Sequence, residues 1–285
     1  MLLNRDVVRI GPLDKYFENA LLETYLILND FVLSDTDVTD YLVTAFQVAH
    51  WKKVYLNQVH LTASGMKEIS FILPQTNLHT LCLSNNIIGD SGVEYLSAVL
   101  HTCSIEKLVL ANNRITSVGA EELAQVLDRS KLKELDLDYN AIGDEGIVSL
   151  CKKLPKSNLK VLWVNETSVT NEAIKEIAKY LPLSQIEWLG LSNNRIDDEG
   201  INILIHLFRY ERLKITQLPL SGNENLSMNR KHEFDRVFRL SKTAWFYIGI
   251  VLCSLRDVPR LGKMSRFKGL PVELIRLIML SLTVI

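Results

Sequence analysis

The 285 residues hold only 4 cysteines, Cys82, Cys103, Cys151 and Cys253, and no two of them form a Cys-x-x-Cys pair. A disulfide framework or a thiolate zinc site needs closer spacing, so these read as small buried or half-buried thiols in a reducing compartment. The apolar runs Trp245 to Cys253 and Leu277 to Leu280 fall well short of the roughly 20 residues that cross a bilayer. Arg5, Asp6 and Arg9 stand where a secretory leader needs its apolar run. A cytoplasmic chain is expected, with delivery into another cell left open. Also missing are Gly-x-Gly-x-x-Gly, the phosphate loop, His-Glu-x-x-His and Gly-x-Ser-x-Gly. The 6 histidines are scattered, and His60, His79 and His101 fall at expected turns or strand edges without metal-ligand spacing. The expectation is a non-catalytic chain with no cofactor and no metal.

What is present is a repeat. The segments Leu78-x-x-Leu81-x-Leu83-x-x-Asn86-x-Ile88, Ile105-x-x-Leu108-x-Leu110-x-x-Asn113-x-Ile115 and Leu132-x-x-Leu135-x-Leu137-x-x-Asn140-x-Ile142 share one frame with a period of 27. The frame continues through Val164 and Leu191, back to Leu56, and forward with a two-residue slip to Leu220. Six places after the Asn position stands a small residue: Gly65, Gly92, Gly119, Gly146, Ala173 or Gly200. Apolar positions two apart predict a short strand, and Gly119, Leu123, Leu127 or Gly146, Leu150, Leu154 predict the stripe of a helix. One strand–turn–helix unit cannot bury both faces, so units stack.

The Asn residues at 86, 113, 140, 194 and 223 are expected to satisfy turn backbone, with Val59 and Thr167 as departures. The small residues let neighbouring units approach. Leu26, Leu28, Phe31, Leu33 and Tyr41, each 28 residues before its counterpart in the next unit, outline a degenerate earlier copy.

This unit, with its Leu-x-x-Leu-x-Leu-x-x-Asn-x-Ile core and downstream Gly, resembles the ribonuclease-inhibitor-like class of leucine-rich repeats over about residues 51–226. The resemblance implies an α/β solenoid: a curved right-handed βα horseshoe, parallel sheet concave, helices convex, with helical caps. Proteins of this kind include inhibitors, innate immune sensors, GTPase activators and host-directed effectors, which mostly bind another protein on the concave face. Expected organisation is a helical N-terminal cap over 1–50, including the degenerate copy, a solenoid over 51–226, and a basic helical cap or extension over 227–285. These segments carry 3 basic and 8 acidic, 18 and 21, and 11 and 4 side chains respectively, so positive charge collects at the C-terminal end.

Residues alternating with the buried Leu positions must face out of the sheet. The fourth to sixth of these triplets bring Glu134, Asp136 and Asp138 beside Trp163 and Trp188, with Tyr139 at the strand exit and Tyr55 and Lys107 on earlier strands. Outward Trp residues favour a binding surface, and the carboxylates favour a partner with a basic patch. No nucleic acid is expected. The apolar pattern from Leu13 to Leu28, with Tyr16 and Phe17, predicts a helix closing the N-terminal end. Phe234, Val237, Phe238, Leu240, Trp245 and Ile248 predict capping at the other.

Beyond them Leu270-Pro271-x-Glu273-Leu274-x-x-x-Ile278 is similar to the opening of an F-box, which implies recruitment of a ubiquitin-ligase scaffold. A structural cap or a membrane-surface helix after Arg256, Arg260, Lys263, Arg266 and Lys268 explains the same residues.

Overall fold

Apolar residues two apart, returning every 27 positions, fold as three-residue strands that each lie against the next copy of themselves. The computed structural model describes residues 25–30, 32–34, 38, 42–48, 50–211 and 213–256. Seven strands, β1 Tyr25–Ile27, β2 Lys53–Tyr55, β3 Thr80–Cys82, β4 Lys107–Val109, β5 Glu134–Asp136, β6 Val161–Trp163 and β7 Trp188–Gly190, form one parallel sheet in chain order. Leu81, Leu108, Leu135, Leu162 and Leu189 stand side by side in register. They are buried, as are Leu83, Leu110, Leu137, Val164 and Leu191 behind them.

Helices α1 Val43–Val48, α2 Ala63–Ile72, α3 Gly89–Leu100, α4 Ser117–Leu127, α5 Gly143–Lys153, α6 Asn171–Tyr180 and α7 Asp198–Tyr210 line the convex side. Thr62, Thr116, Thr170 and Asp197 cap α2, α4, α6 and α7, each side chain accepting from the N–H two residues on. Three helices run out into short turns at Leu73–Gln75, Leu154–Lys156 and Leu181–Leu183. Each contains a proline, which has no N–H to continue an α-helix. Among the described residues no helix is long and apolar enough to cross a membrane.

Buried asparagines bind the units together. Asn86 Oδ1 accepts from Val59 N–H and Leu61 N–H, both at 3.0 Å, while its Nδ2 donates to Leu56 O and Leu83 O at 2.7 and 2.8 Å. Asn140 does the same for Asn113 N–H, Ile115 N–H, Leu110 O and Leu137 O. At the departure Thr167, the hydroxyl donates to Val164 O at 2.7 Å, keeping the bond within its own unit. The small-residue position is as tight as expected. A Cβ on Gly146 would stand 2.6 Å from Ile142 Cγ2 and 2.9 Å from Ala120 Cβ of the preceding unit.

Two sequence readings change. The helix expected from Leu13 to Leu28 does not reach its end as a helix, because Tyr25–Ile27 is β1 and Leu26 pairs with Val54, 28 residues on. Pairing to a neighbouring unit overrides the local i, i+4 pattern. At the other edge the strand expected at 217–221 shrinks to a single bridge, Trp188 to Gln217. Its carbonyls still accept from Leu189, Leu191 and Asn193 N–H. Pro219 has no N–H to give back, so the ladder ends there.

The last helix among the described residues, α8 Met228–Arg256, packs on α7. Phe208 meets Phe234 edge-on at 5.7 Å and Phe238 at 5.0 Å between ring centroids. The expected roles of Tyr16 and Phe17, of the Trp245 and Ile248 side chains, and of the 270–278 pattern lie outside the described residues.

Candidate functional site

With the leucines turned inward, the other side chains of each strand form three columns across the concave face. The first runs Tyr25, Lys53, Thr80, Lys107, Glu134, Val161, Trp188. The middle column runs Ile27, Tyr55, Cys82, Val109, Asp136, Trp163, Gly190. The third, two residues further on, holds Asn29, Asn57, Ser84, Ala111, Asp138, Asn165 and Ser192. All eight expected site residues therefore belong to this face or its rim, but in different columns and with different freedom.

Lys107 joins several of them. Its Nζ lies 2.8 Å from Glu134 Oε2 and 5.5 Å from the centroid of the Trp163 ring. Burial works against the ammonium charge, and the hydrogen bond and charge of Glu134 outweigh it, so the Lys107 pKa is raised. Both partners are about two-fifths exposed, so the ion pair itself adds little stability. Its effect is to hold a cation against the Trp163 face. Trp163 and Trp188 are both half-buried, and among the described residues no ring contact links them. The register places Trp163 beside Gly190 and Trp188 beside Val161. The Trp188 Nε1–H is buried and has no hydrogen-bond acceptor among the described residues.

The three carboxylates do not behave as one acidic cluster. Glu134 is taken by Lys107. Asp138 Oδ1 accepts from Asn165 N–H at 2.7 Å, and Asn165 Nδ2 donates to both Asp138 oxygens at 3.0 and 2.9 Å. Asn165 Oδ1 in turn accepts from Ser192 N–H at 2.7 Å, so the third column is a ladder tying units together. Asn29, Asn57 and Ser84 repeat this ladder near the other end. Burial raises the Asp138 pKa against the pull of the Asn165 donors.

Asp136 remains. Its Oδ1 accepts from Asp138 N–H at 3.0 Å, and among the described residues no cation pairs with it. Burial pushes its carboxyl up to about 6; the Asp138 N–H pulls it down, the Asp138 charge adds to the rise, and Lys107 opposes it. Tyr139 sits in the left-handed turn after β5 (φ 58°), 55% exposed at the rim.

Sequence reasoning missed Tyr25 and Ile27, 45% and 47% exposed, which extend the face on β1. The degenerate copy outlined by Leu26 and Leu28 already implied them, since outward residues alternate with those leucines. Cys82 stands in the middle column, as alternation with the inward leucines predicts, and burial there pushes its thiol up to about 11. Cys103 and Cys151, buried in the repeat, are pushed up to about 11 and about 12 by the same cause.

Residues 75–97, 101–124 and 130–151 match the family model described as Leucine Rich repeat. No curated protein matches the sequence. Among solved structures the chain is similar to one from the yeast Rad7 and Elc1 complex, at 17% identity and a TM-score of 0.48, covering 74% of this chain and 60% of that one. The chain thus spans about 60% of the length of that structure's chain. It is also similar to leiomodin-1 actin-binding site 2, at 16% identity and a TM-score of 0.36, covering 82% of this chain and 98% of the other. With three matched repeats inside one seven-stranded parallel stack, the fold is an α/β leucine-rich repeat solenoid.

Proposed function

We propose that the chain is a non-catalytic interaction scaffold that holds a protein partner on its concave face, with Tyr55, Lys107, Asp136 and Trp163 at the centre and Glu134, Asp138, Tyr139 and Trp188 around them. One observation carries this reading: the middle column keeps Ile27, Tyr55, Val109 and Trp163 partly open to solvent on a rigid sheet. Large aromatic side chains held at low entropy cost are the commonest anchors of protein interfaces. Seven strands about 4.8 Å apart make a sheet roughly 29 Å long, enough for a standard interface of about 800 Å² per partner. The buried thiols, with their raised pKa values, are poor nucleophiles, which also favours binding over catalysis.

Affinity capture from cytosolic lysate tests the reading, with wild type run beside Tyr55→Ala/Trp163→Ala shown to be folded by circular dichroism. A protein retained by wild type and lost by the variant is the expected result. Equal retention by both overturns the concave face as the site. The F-box-like residues favour a second reading, a ubiquitin-ligase substrate adaptor. It predicts a ligase scaffold that co-purifies with the chain and is lost on Leu274→Asp, while the repeats choose the substrate.

A further inference from the structure

The middle column of the concave face is apolar from Ile27 through Tyr55, Cys82 and Val109, then carries one carboxyl, Asp136, before Trp163. Ile27 to Trp163 spans five strand intervals, about 24 Å at 4.8 Å each. That is the length of an extended segment of about seven residues. We propose that this track takes a segment of the partner protein in which an Arg or Lys, flanked by apolar residues, meets the carboxylate of Asp136. The inference rests on the concave-face reading above and narrows it to a partner chemistry.

Charge complementarity selects the occupant. Of the three carboxylates gathered here, Glu134 is paired with Lys107 and both oxygens of Asp138 are taken by Asn165. Asp136 uses one oxygen for the Asp138 N–H and has a second without a hydrogen bond or ion pair among the described residues. The groups facing it are known on every side: Glu134 and Asp138 from its own unit, Lys107 from β4, the neutral Cys82 from β3, and Trp163 and Asn165 from the β6 unit. Lys107 is the one cation among them, and its ammonium is turned to Glu134 and the Trp163 ring. A carboxyl in an apolar column, partly stripped of water and unpaired, is worse off than in solvent until a cation arrives. A partner cation there gains a desolvated ion pair with Trp163 alongside to cover it. An acidic segment would face Asp136 and Asp138 together, and a wholly apolar one would bury Asp136 unpaired.

The test is to pan a phage-displayed random dodecapeptide library on the full chain at pH 7.5, in parallel with Asp136→Asn, Asp136→Lys and Trp163→Ala. Asp136→Asn keeps the acceptor for the Asp138 N–H, so it preserves the strand exit. Expected from wild type are sequences with one Arg or Lys between apolar residues, at least tenfold weaker on Asp136→Asn and lost on Trp163→Ala. Asp136→Lys should select Asp- or Glu-containing sequences instead. A selected peptide free of His, Asp and Glu should bind wild type about tenfold more weakly per pH unit below about 6, and should bind Asp136→Asn with no such slope. Peptides lost on Trp163→Ala but lacking a basic residue, or bound equally by Asp136→Asn, overturn the inference and leave the concave-face reading standing. Peptides indifferent to Trp163→Ala, or no selected peptides at all, overturn both.

Discussion

At the residue scale the asparagine ladder and Asp136 do opposite things to stability. Asn140 satisfies two buried N–H groups of the unit before it and two buried carbonyls. Asn140→Ala should therefore lose about 2–4 kcal/mol in urea unfolding, more than a single hydrogen bond, because several partners are left unpaired. Asp136 has a folded pKa of about 6 against an unfolded value near 4, so its proton is held more tightly folded than unfolded. Its contribution to stability is complete below about pH 4 and is lost as pH rises through about 6. Asp136→Asn should be more stable than wild type by about 1–2 kcal/mol at pH 7.5, a figure reduced for partial exposure, with the difference gone at pH 4. Urea melts at the two pH values check this. The ladder role of the asparagines is legible from spacing alone, because only a buried turn repeats an amide at one register. The unequal fates of Glu134, Asp136 and Asp138 are not, because their partners Lys107 and Asn165 lie 27 residues away and bind through chosen rotamers.

At the element scale, α4, α6 and α8 are each seated by a carboxylate of the unit before. Asp90 accepts from Thr116 N–H, Thr116 Oγ1 and Gly119 N–H at 2.8, 2.7 and 3.0 Å, which fixes the start of α4 from the side of α3. Asp144 holds Thr170 N–H and Oγ1 at the start of α6 in the same way, and Asp198 accepts from Ser227 N–H just before α8. The carboxylates sit at helix N-termini, where they also oppose the positive end of the dipole. Asp144→Ala should lower stability by about 1 kcal/mol. Gly146→Val, pressing into Ile142 of its own unit and Ala120 of the preceding one, should lower it by about 1–3 kcal/mol, since the unit interface must open to admit it. Chemical denaturation of both variants beside the exposed Glu145→Gln, expected within about 0.5 kcal/mol of wild type, measures the difference. The need for a small residue at Gly146 can be read from the sequence. The Asp bridges cannot, although Gly89-Asp90-Ser91-Gly92 and Gly143-Asp144-Glu145-Gly146 repeat the same spelling, because that spelling does not say which unit the carboxylate serves.

At the scale of the whole molecule, every strand pairs with its sequence neighbour and helices pack chiefly on the next helix, so stability is a sum of unit and interface terms. A wound at one end should stay near that end. Phe234→Ala, which removes a buried ring from between α7 and α8, should cost about 3 kcal/mol locally. Amide exchange should then quicken at Leu189, Leu191 and Asn193, which donate to the 217–221 segment, and stay unchanged at Leu56 and Leu83 in the second and third units. Uniform quickening would contradict the neighbour-only account. The repeat period, the inward leucines, the turn asparagines and the small residues at the unit interface are local patterns written 27 residues apart, and they suffice to name the solenoid and to number its outward columns. Where the sheet begins and stops needed pairing partners: β1 exists because Leu26 finds Val54, and the last strand fails because Pro219 cannot donate. Which carboxylate on the concave face stays unpaired likewise depended on side chains brought together by stacking, since spacing along a chain fixes the column a residue occupies but not what it touches across the sheet.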